Sequence, residues 1–193
     1  MTVRELKKRE TWRLVHGTAL RLMTERGFDA VSVDDIVAAA GISRRTFFNY
    51  FAGKESVVFD PDPGDPELWD RLLAERPAGE PLWISLRELL LGYTAATAER
   101  MILQRQVRAA SPELAGCTRE VADRFWDAIR AWAPADLSDF RLDLTVNAAR
   151  TVLNTACPHW AADTGITGLH ALIRAGFDTL DWTTDESRTP VRS

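Results

Sequence analysis

Cysteine is scarce in this chain: Cys117 and Cys157 stand far apart and outside any Cys-x-x-Cys pair. That excludes a disulfide scaffold and a zinc knuckle, and makes both thiols packing residues of a reducing compartment. Histidine is nearly as rare. His159 and His170 are eleven positions apart, and His16 is expected on the first helix as a partly exposed residue, so neither a metal nor a cofactor is expected. Runs of about 18 uncharged apolar residues are missing. Even Leu82 to Tyr93 is broken by Arg87 and Glu88, so no helix is expected to span a membrane. The opening Met-Thr-Val-Arg-Glu-Leu-Lys-Lys-Arg-Glu carries charge where a signal peptide needs its apolar stretch, which makes the expected location cytoplasmic. Gly-x-Ser-x-Gly, the P-loop, Gly-x-Gly-x-x-Gly and His-Glu-x-x-His are absent, so no catalytic residue is assigned and an enzyme is not expected. Asp136, Asp139 and Asp143 have the helical spacing of a magnesium-binding carboxylate cluster, but a solvated, capped helix start accounts for them.

What the chain does have is helical periodicity. Its 193 residues, 46% of them hydrophobic, can bury a core unaided. The net charge of −4 is unevenly spread: residues 1–56 hold 10 Lys+Arg against 7 Asp+Glu, including all three lysines, whereas the remainder nets −7. That asymmetry fits a basic module on an acidic body. Trp12, Val15, Ala19, Leu22 and Met23 recur at the spacing of one helix face, and Gly27 ends that helix so that Phe28 can pack back on it. Ser32-Val-Asp-Asp35 has the form of a capping box, with Val33, Ile36, Val37 and Ala40 as the apolar face behind it. Gly41-Ile42-Ser43 then supplies a positive φ, a buried anchor and the cap of a short third helix, Arg44 to Phe51. Two short helices joined through a glycine turn and packed on a longer one make a helix-turn-helix. With Ile42, Phe47 and Phe51 facing the core, the third helix leaves Arg44, Arg45, Thr46, Phe48, Asn49 and Tyr50 toward solvent. Arginine can take guanine O6 and N7, asparagine adenine N6 and N7, and an aromatic edge or threonine methyl the thymine methyl.

Glu25-Arg-Gly-Phe28, Ser32-Val-Asp-Asp-Ile-Val-Ala-Ala-Ala40 and Gly41-Ile-Ser-Arg-Arg-Thr-Phe-Phe-Asn-Tyr-Phe-Ala-Gly-Lys54 resemble the N-terminal domain of the TetR family of transcriptional regulators, over residues 9–59. The resemblance implies an all-α homodimer. Residues 1–58 would be its three-helix DNA-binding domain and 59–182 a helical ligand-binding and dimerisation domain, with 183–193 a mobile tail. It implies base or nearby phosphate contacts from Ser43, Arg44, Arg45, Thr46, Phe48, Asn49 and Tyr50, and DNA-backbone contacts from Ser32 and Lys54. Arg4, Lys7, Lys8 and Arg9 are read either as a basic arm that extends the backbone contact or as a frayed, solvated terminus.

In the body, Phe59-Asp-Pro-Asp-Pro-Gly-Asp-Pro66 must stop the fourth helix, and Asp65-Pro66-Glu67 reads as cap, first position and acidic first turn of a helix to Arg76. One helix is expected from Pro81 to Val107 and another from Ser111-Pro112-Glu113 to Trp132. A third is expected from Ser138 to Cys157, stopped by Pro158, and a fourth from residues 165–167 through Leu180. Candidate effector-pocket residues are Trp83, Tyr93, Phe125 and Trp126, with Gln104, Arg105, Arg108, Asn147 and Asn154 as polar members. Candidate dimer contacts are Val146, Ala149 and Leu153 on one closing helix and Leu169, Ile173, Gly176 and Phe177 on the other, where Ala149 and Gly176 permit close crossing. The segment Arg105 to Leu114 and the closing helices are similar to the branch of the family that includes mycofactocin-associated regulators, some of which respond to long-chain acyl-CoA. Arginines at a pocket mouth suit its phosphates. The expected function is a ligand-responsive transcriptional regulator, a repressor released from a near-palindromic double-stranded DNA operator by a small effector, an acyl-CoA or another apolar ligand. The alternatives are an architectural DNA binder without ligand control and, last, an all-helical enzyme.

Overall fold

The computed structural model describes residues 2–111, 114, 120–133, 135 and 137–181, and every regular element among them is helical. Helix α1 (Val3–Arg26) starts on a Thr2–Glu5 capping box, so Arg4, Lys7 and Lys8 are exposed residues of its first turns. They are not a frayed terminus, because reciprocal side-chain to backbone bonds fix the helix start. Gly27 closes α1 at φ 85°, and Phe28 folds back into the core as expected. Ser32 and Asp35 form the capping box of α2 (Val33–Ala40), which ends at Gly41 in the left-handed region, φ 66°. Ser43 caps α3 (Arg44–Phe48), and residues 49 and 50 continue as a turn where the sequence suggests helix to Phe51. The fourth helix, α4 (Lys54–Phe59), is one and a half turns long before the proline segment stops it, as the sequence requires.

Beyond the linker lie α5 (Asp65–Ala74), α6 (Leu82–Ala96), α7 (Ala98–Ala110), α8 (Glu120–Trp132), α9 (Asp139–His159), a 3₁₀ turn at Ala162–Thr164 and α10 (Gly165–Thr179). Three boundaries differ from expectation. Gly64 rather than Asp65 caps α5, with Asp65 its first residue. The helix expected from Pro81 to Val107 is two, broken at Thr97. There the Thr94 hydroxyl donates to the Leu90 carbonyl and the Thr97 hydroxyl to that of Tyr93, competing with the backbone ladder. Helix α9 runs through Pro158 to His159, since a proline in the final turn removes only one ladder bond. The helix start expected at Ser111-Pro112-Glu113 falls largely outside the described residues, as does the expected tail at 183–193.

Two cores form. The first joins Trp12, Leu20, Met23, Ile36, Phe47 and Phe51 of the N-terminal module, and it also takes in Val107 of α7, fully buried, and Leu114. Two residues of the body, Val107 and Leu114, therefore complete the core of the N-terminal module. The second core packs α5, α6, α8, α9 and α10 around Leu86, Leu90, Trp126, Ile129, Leu169 and Ile173. Helix α1 lies along α7, and α10 packs on both α6 and α9.

Candidate nucleic-acid interface

Helix α3 is presented by two glycine-free caps and one glycine turn. Ser43 Oγ accepts from Thr46 N at 3.0 Å and bonds Thr46 Oγ1 at 2.8 Å, while Ile42 N donates to Val37 O at 3.0 Å across the turn. Phe47 is fully buried between Phe48 and Phe51, which pins the inner face of the helix. Arg44, Arg45, Phe48 and Asn49 lie exposed and Thr46 and Tyr50 half-buried, so these residues share one outward region as the periodicity suggests. Phe48 is 50% exposed, a large apolar surface to leave in water on a face otherwise rich in donors. Arg44 Nη1 donates to Asp34 Oδ1 at 2.6 Å, and its guanidinium lies 5.8 Å from the Phe48 ring centre. Both partners of that ion pair are more than half exposed, so a phosphate or guanine edge can displace Asp34 at little cost.

Ser32 is committed to its own helix: its hydroxyl donates to Asp35 and accepts from Asp35 N, which holds the Asp35 carboxyl below the usual range. Its exposed position at the α2 N-terminus still leaves it facing solvent. Lys54 is more constrained than its sequence position suggests. Nζ donates to the Phe28 carbonyl at 3.0 Å and sits 4.2 Å from the Phe28 ring centre, tying α4 to the α1–α2 turn.

Behind this face, the linker is clasped rather than free. Arg13 Nε donates to Asp62 Oδ2 at 2.6 Å, Gly64 N donates to Asp62 Oδ1 at 2.7 Å, and Arg9 pairs with Glu67. Arg100 Nη2 reaches both oxygens of Asp65, at 3.0 and 2.9 Å, and Tyr93 donates to Asp65 at 3.1 Å. Burial pushes the Asp65 carboxyl up against the lowering effect of Arg100. His16, expected partly exposed, is 4% exposed: it stacks on Trp12 at 4.5 Å beneath this clasp, and burial with Arg100 nearby holds its pKa down to about 3. The four side-chain pairs of the clasp, Arg9–Glu67, Arg13–Asp62, Arg100–Asp65 and Tyr93–Asp65, are not visible in sequence, because their members lie 28 to 58 positions apart.

The candidate effector residues do not converge on one cavity. Trp83, Phe125 and Trp126 are buried in the second core; Trp83 Nε1 donates to Phe177 O at 3.3 Å, and Phe125 stacks on Tyr93 at 5.1 Å. Tyr93 belongs to the Asp65 clasp, and Asn147 is exposed and accepts from Arg130 at 3.4 Å. Gln104, Arg108 and Asn154 do come together, in a pocket of about 480 Å³ between α7 and α9 that also contains Arg105, Arg150 and Leu153. Among the described residues, its lining has three arginines and no carboxylate. Arg105 is held by the carbonyls of Pro158 and Trp160, and Gln104 Nε2 donates to Val58 O in α4 at 2.8 Å. That last bond runs from the pocket wall to the N-terminal module.

Most candidate dimer residues are already used within one chain. Val146, Ala149, Leu169 and Ile173 are fully buried and Phe177 nearly so, and a Cβ on Gly176 would lie 2.7 Å from Val152 Cγ1 of α9. The close crossing at Gly176 thus joins α10 to its own α9. Leu153 and Gly176 are half-buried, and on α9 Phe140 is 76% and Leu144 50% exposed, one turn apart. Asp143 pairs with Arg130, Asp136 lies outside the described residues, and among those described no acidic, histidine or cysteine cluster could hold a metal. Among them, too, no helix is long and apolar enough to cross a membrane.

Residues 17–60 match the family model described as bacterial regulatory proteins, tetR family. MftR of Mycobacterium tuberculosis H37Rv, named as a mycofactocin biosynthesis transcriptional regulator, is 28% identical over 183 residues, covering 86% of this chain and 91% of that protein. The HTH-type transcriptional regulator TcmR of Streptomyces glaucescens is 29% identical over 194 residues, covering 92% and 86%. The crystal structure of PfmR, a TetR family transcriptional regulator from Thermus thermophilus, aligns with a TM-score of 0.48 at 22% identity, over 86% of this chain and 95% of that one. The proteins matched are transcriptional regulators, not enzymes.

Proposed function

We propose that this chain is a TetR-family transcriptional regulator, a homodimeric repressor that reads a near-palindromic operator with α3. The observation that carries this reading is the face of α3: Arg44, Arg45 and Asn49 exposed beside a half-exposed Phe48, on a helix whose inner side is locked by Phe47. Side chains with bidentate hydrogen-bonding geometry and an apolar edge match the base edges of the major groove. Ser32, Ser43, Thr46 and Tyr50 flank it, and Lys54 has donors beyond the one spent on Phe28, so phosphate contacts from them would fix register without reading sequence. Two copies of α3 in a dimer would address half-sites roughly 34 Å apart. The outer side of α9, with Phe140 and Leu144, together with the half-buried Leu153 and Gly176, offers the surface for pairing.

Release requires an effector that binds the DNA-incompetent state more tightly than the competent one. The α7–α9 pocket suits an anionic headgroup attached to an apolar portion, since three arginines line it together with Met101, Leu153 and Trp160. Acyl-CoA thioesters have that chemistry. Gln104, in the same wall, holds Val58 and supplies a route from pocket to module. Titrations on a selected operator and a scrambled duplex at several salt concentrations, with and without acyl-CoA, test the reading. Sequence preference lost in an Arg44→Ala/Arg45→Ala double variant and affinity lowered by acyl-CoA are expected. Equal affinity for every duplex, or an undiminished double variant, removes α3 from the reading role.

A further inference from the structure

A second cleft, about 630 Å³, opens on the opposite side of α7, between α1 and residues 62–71 of the linker and α5. It is large enough for a small molecule. Five guanidiniums line it, those of Arg9, Arg13, Arg21, Arg71 and Arg100. Three are closed by carboxylates of the clasp, Glu67, Asp62 and Asp65. Arg21 and Arg71 have no ion-pair partner among the described residues, and Glu99 is the one acidic residue of the lining outside those pairs. The uncommitted charge of the cleft is positive. Its wall also includes His16, whose Nε2 is buried and has no hydrogen-bond partner among the described residues. Stacking on Trp12 fixes that ring, and with its pKa held down to about 3 the imidazole stays neutral at physiological pH, offering one uncharged donor or acceptor. A buried polar atom left unpaired is a standing cost that a purely structural contact would avoid with an apolar side chain.

We propose that this cleft is a ligand site in its own right, distinct from the α7–α9 pocket, for a small organic acid whose carboxylate lies between Arg21 and Arg71 and whose second polar group bonds His16. A cation would meet the arginines unfavourably, and a plain hydrocarbon would leave both His16 and the guanidiniums unsatisfied. One wall is α1, part of the DNA-binding module, and the other is the body, so occupancy bears directly on the angle between them. The Arg9–Glu67 pair, whose Glu67 is more than half exposed, is the contact such an acid would compete with most easily.

The three histidines make the test direct, because the imidazole region of an NMR spectrum then holds three signals and His16→Gln assigns the relevant one. The probe is 3-hydroxybenzoate, an acid with a rigidly placed hydroxyl, and its control is 3-hydroxybenzyl alcohol, which has the same shape without the charge. The full-length protein should show a saturable shift of the His16 signal with a midpoint below about 10 mM for the acid alone. The shift should fall at least tenfold in apparent affinity in Arg71→Gln, a substitution at an exposed position of α5. Binding in the α7–α9 pocket, which has no histidine in its lining but includes Pro158, would instead move His159. No saturable His16 shift, an equal shift with the alcohol, or a shift unchanged in both Arg21→Gln and Arg71→Gln overturns the proposal. Operator binding measured on the same samples without probe keeps that outcome separate from a failure of the repressor reading.

Discussion

Acidification should destabilise this protein through the buried imidazole of His16. His16 is 4% exposed and its folded pKa lies near 3, against 6.5 for an unfolded histidine. The unfolded chain therefore binds a proton that the folded chain refuses, and the linkage sign is fixed: the contribution is complete above pH 6.5 and is lost as pH falls toward the folded value. Each pH unit in that window removes about 1.4 kcal/mol, so moving from pH 7 to pH 5 costs about 2 kcal/mol. That figure depends on the unfolded pKa alone as long as the folded one stays well below 5. For a chain of this size it corresponds to a fall of about 4–8 °C in melting temperature. The assay compares thermal and urea melts at both pH values for the wild type and His16→Gln, because glutamine cannot titrate and the other ionisable groups, such as Asp65 and His170, are common to both chains. The difference between the two pH responses isolates His16. If His16→Gln loses as much stability between pH 7 and pH 5 as the wild type does, the imidazole is not buried neutral under the clasp and the argument fails.

Arg45→Ala should reduce operator affinity by about 1–3 kcal/mol and relax the preference at one position of each half-site, read by binding to a panel of single-base operator variants. Lys54→Ala should lower folding stability by about 1 kcal/mol in urea titration as well as weakening DNA binding, because it removes the tie between α4 and Phe28; unchanged stability would mean that Lys54 serves DNA only. Gly176→Ala should cost about 1–3 kcal/mol, since its Cβ would lie 2.7 Å from Val152 Cγ1, and Val152→Ala in the same chain should recover most of that loss.

The N-terminal module was legible because its instructions are local. A capping box at Ser32–Asp35, a left-handed Gly41 and a cap at Ser43 each act within four residues, so the helices, the turn and the outward set on α3 follow from the sequence alone. The body was legible as helices but not as contacts. Periodicity marks Val146, Leu169, Ile173 and Phe177 as apolar faces, yet it cannot say whether such a face meets its own chain or a second one, and here these four are sealed inside one protomer. The same blindness scattered the candidate effector residues. Trp83 and Trp126 are aromatic because a core needs volume, whereas the pocket that does form is marked by arginines spaced three apart on α7, Arg105 and Arg108, meeting Arg150 on α9. The break at Thr97 escaped because hydroxyl back-bonding acts against a helix whose propensity and pattern are otherwise continuous.

The proline-broken linker changes where a signal must travel. A long fourth helix could act as a lever between domains, but α4 ends at Phe59 and the chain from Asp60 to Gly64 is not helical. Rigidity is supplied instead by side chains: Asp62 held to Arg13 of α1, Asp65 held to Arg100 of α7, and Gln104 of α7 held to Val58 of α4. Every one of these ties ends on α1, α4 or α7, and Val107 of α7 is itself part of the N-terminal core. Helix α7 is therefore the element that connects the N-terminal core with both clefts. Its C-terminal half lines one pocket, through Gln104, Arg105 and Arg108, and its N-terminal half lines the other cleft, through Glu99, Arg100 and Leu103. A ligand in the α7–α9 pocket would bear on α7 directly, and one in the other cleft would meet both α7 and the clasped linker. If both proposed sites bias the same displacement of α7, each ligand would change the affinity for the other by the factor by which its own is changed.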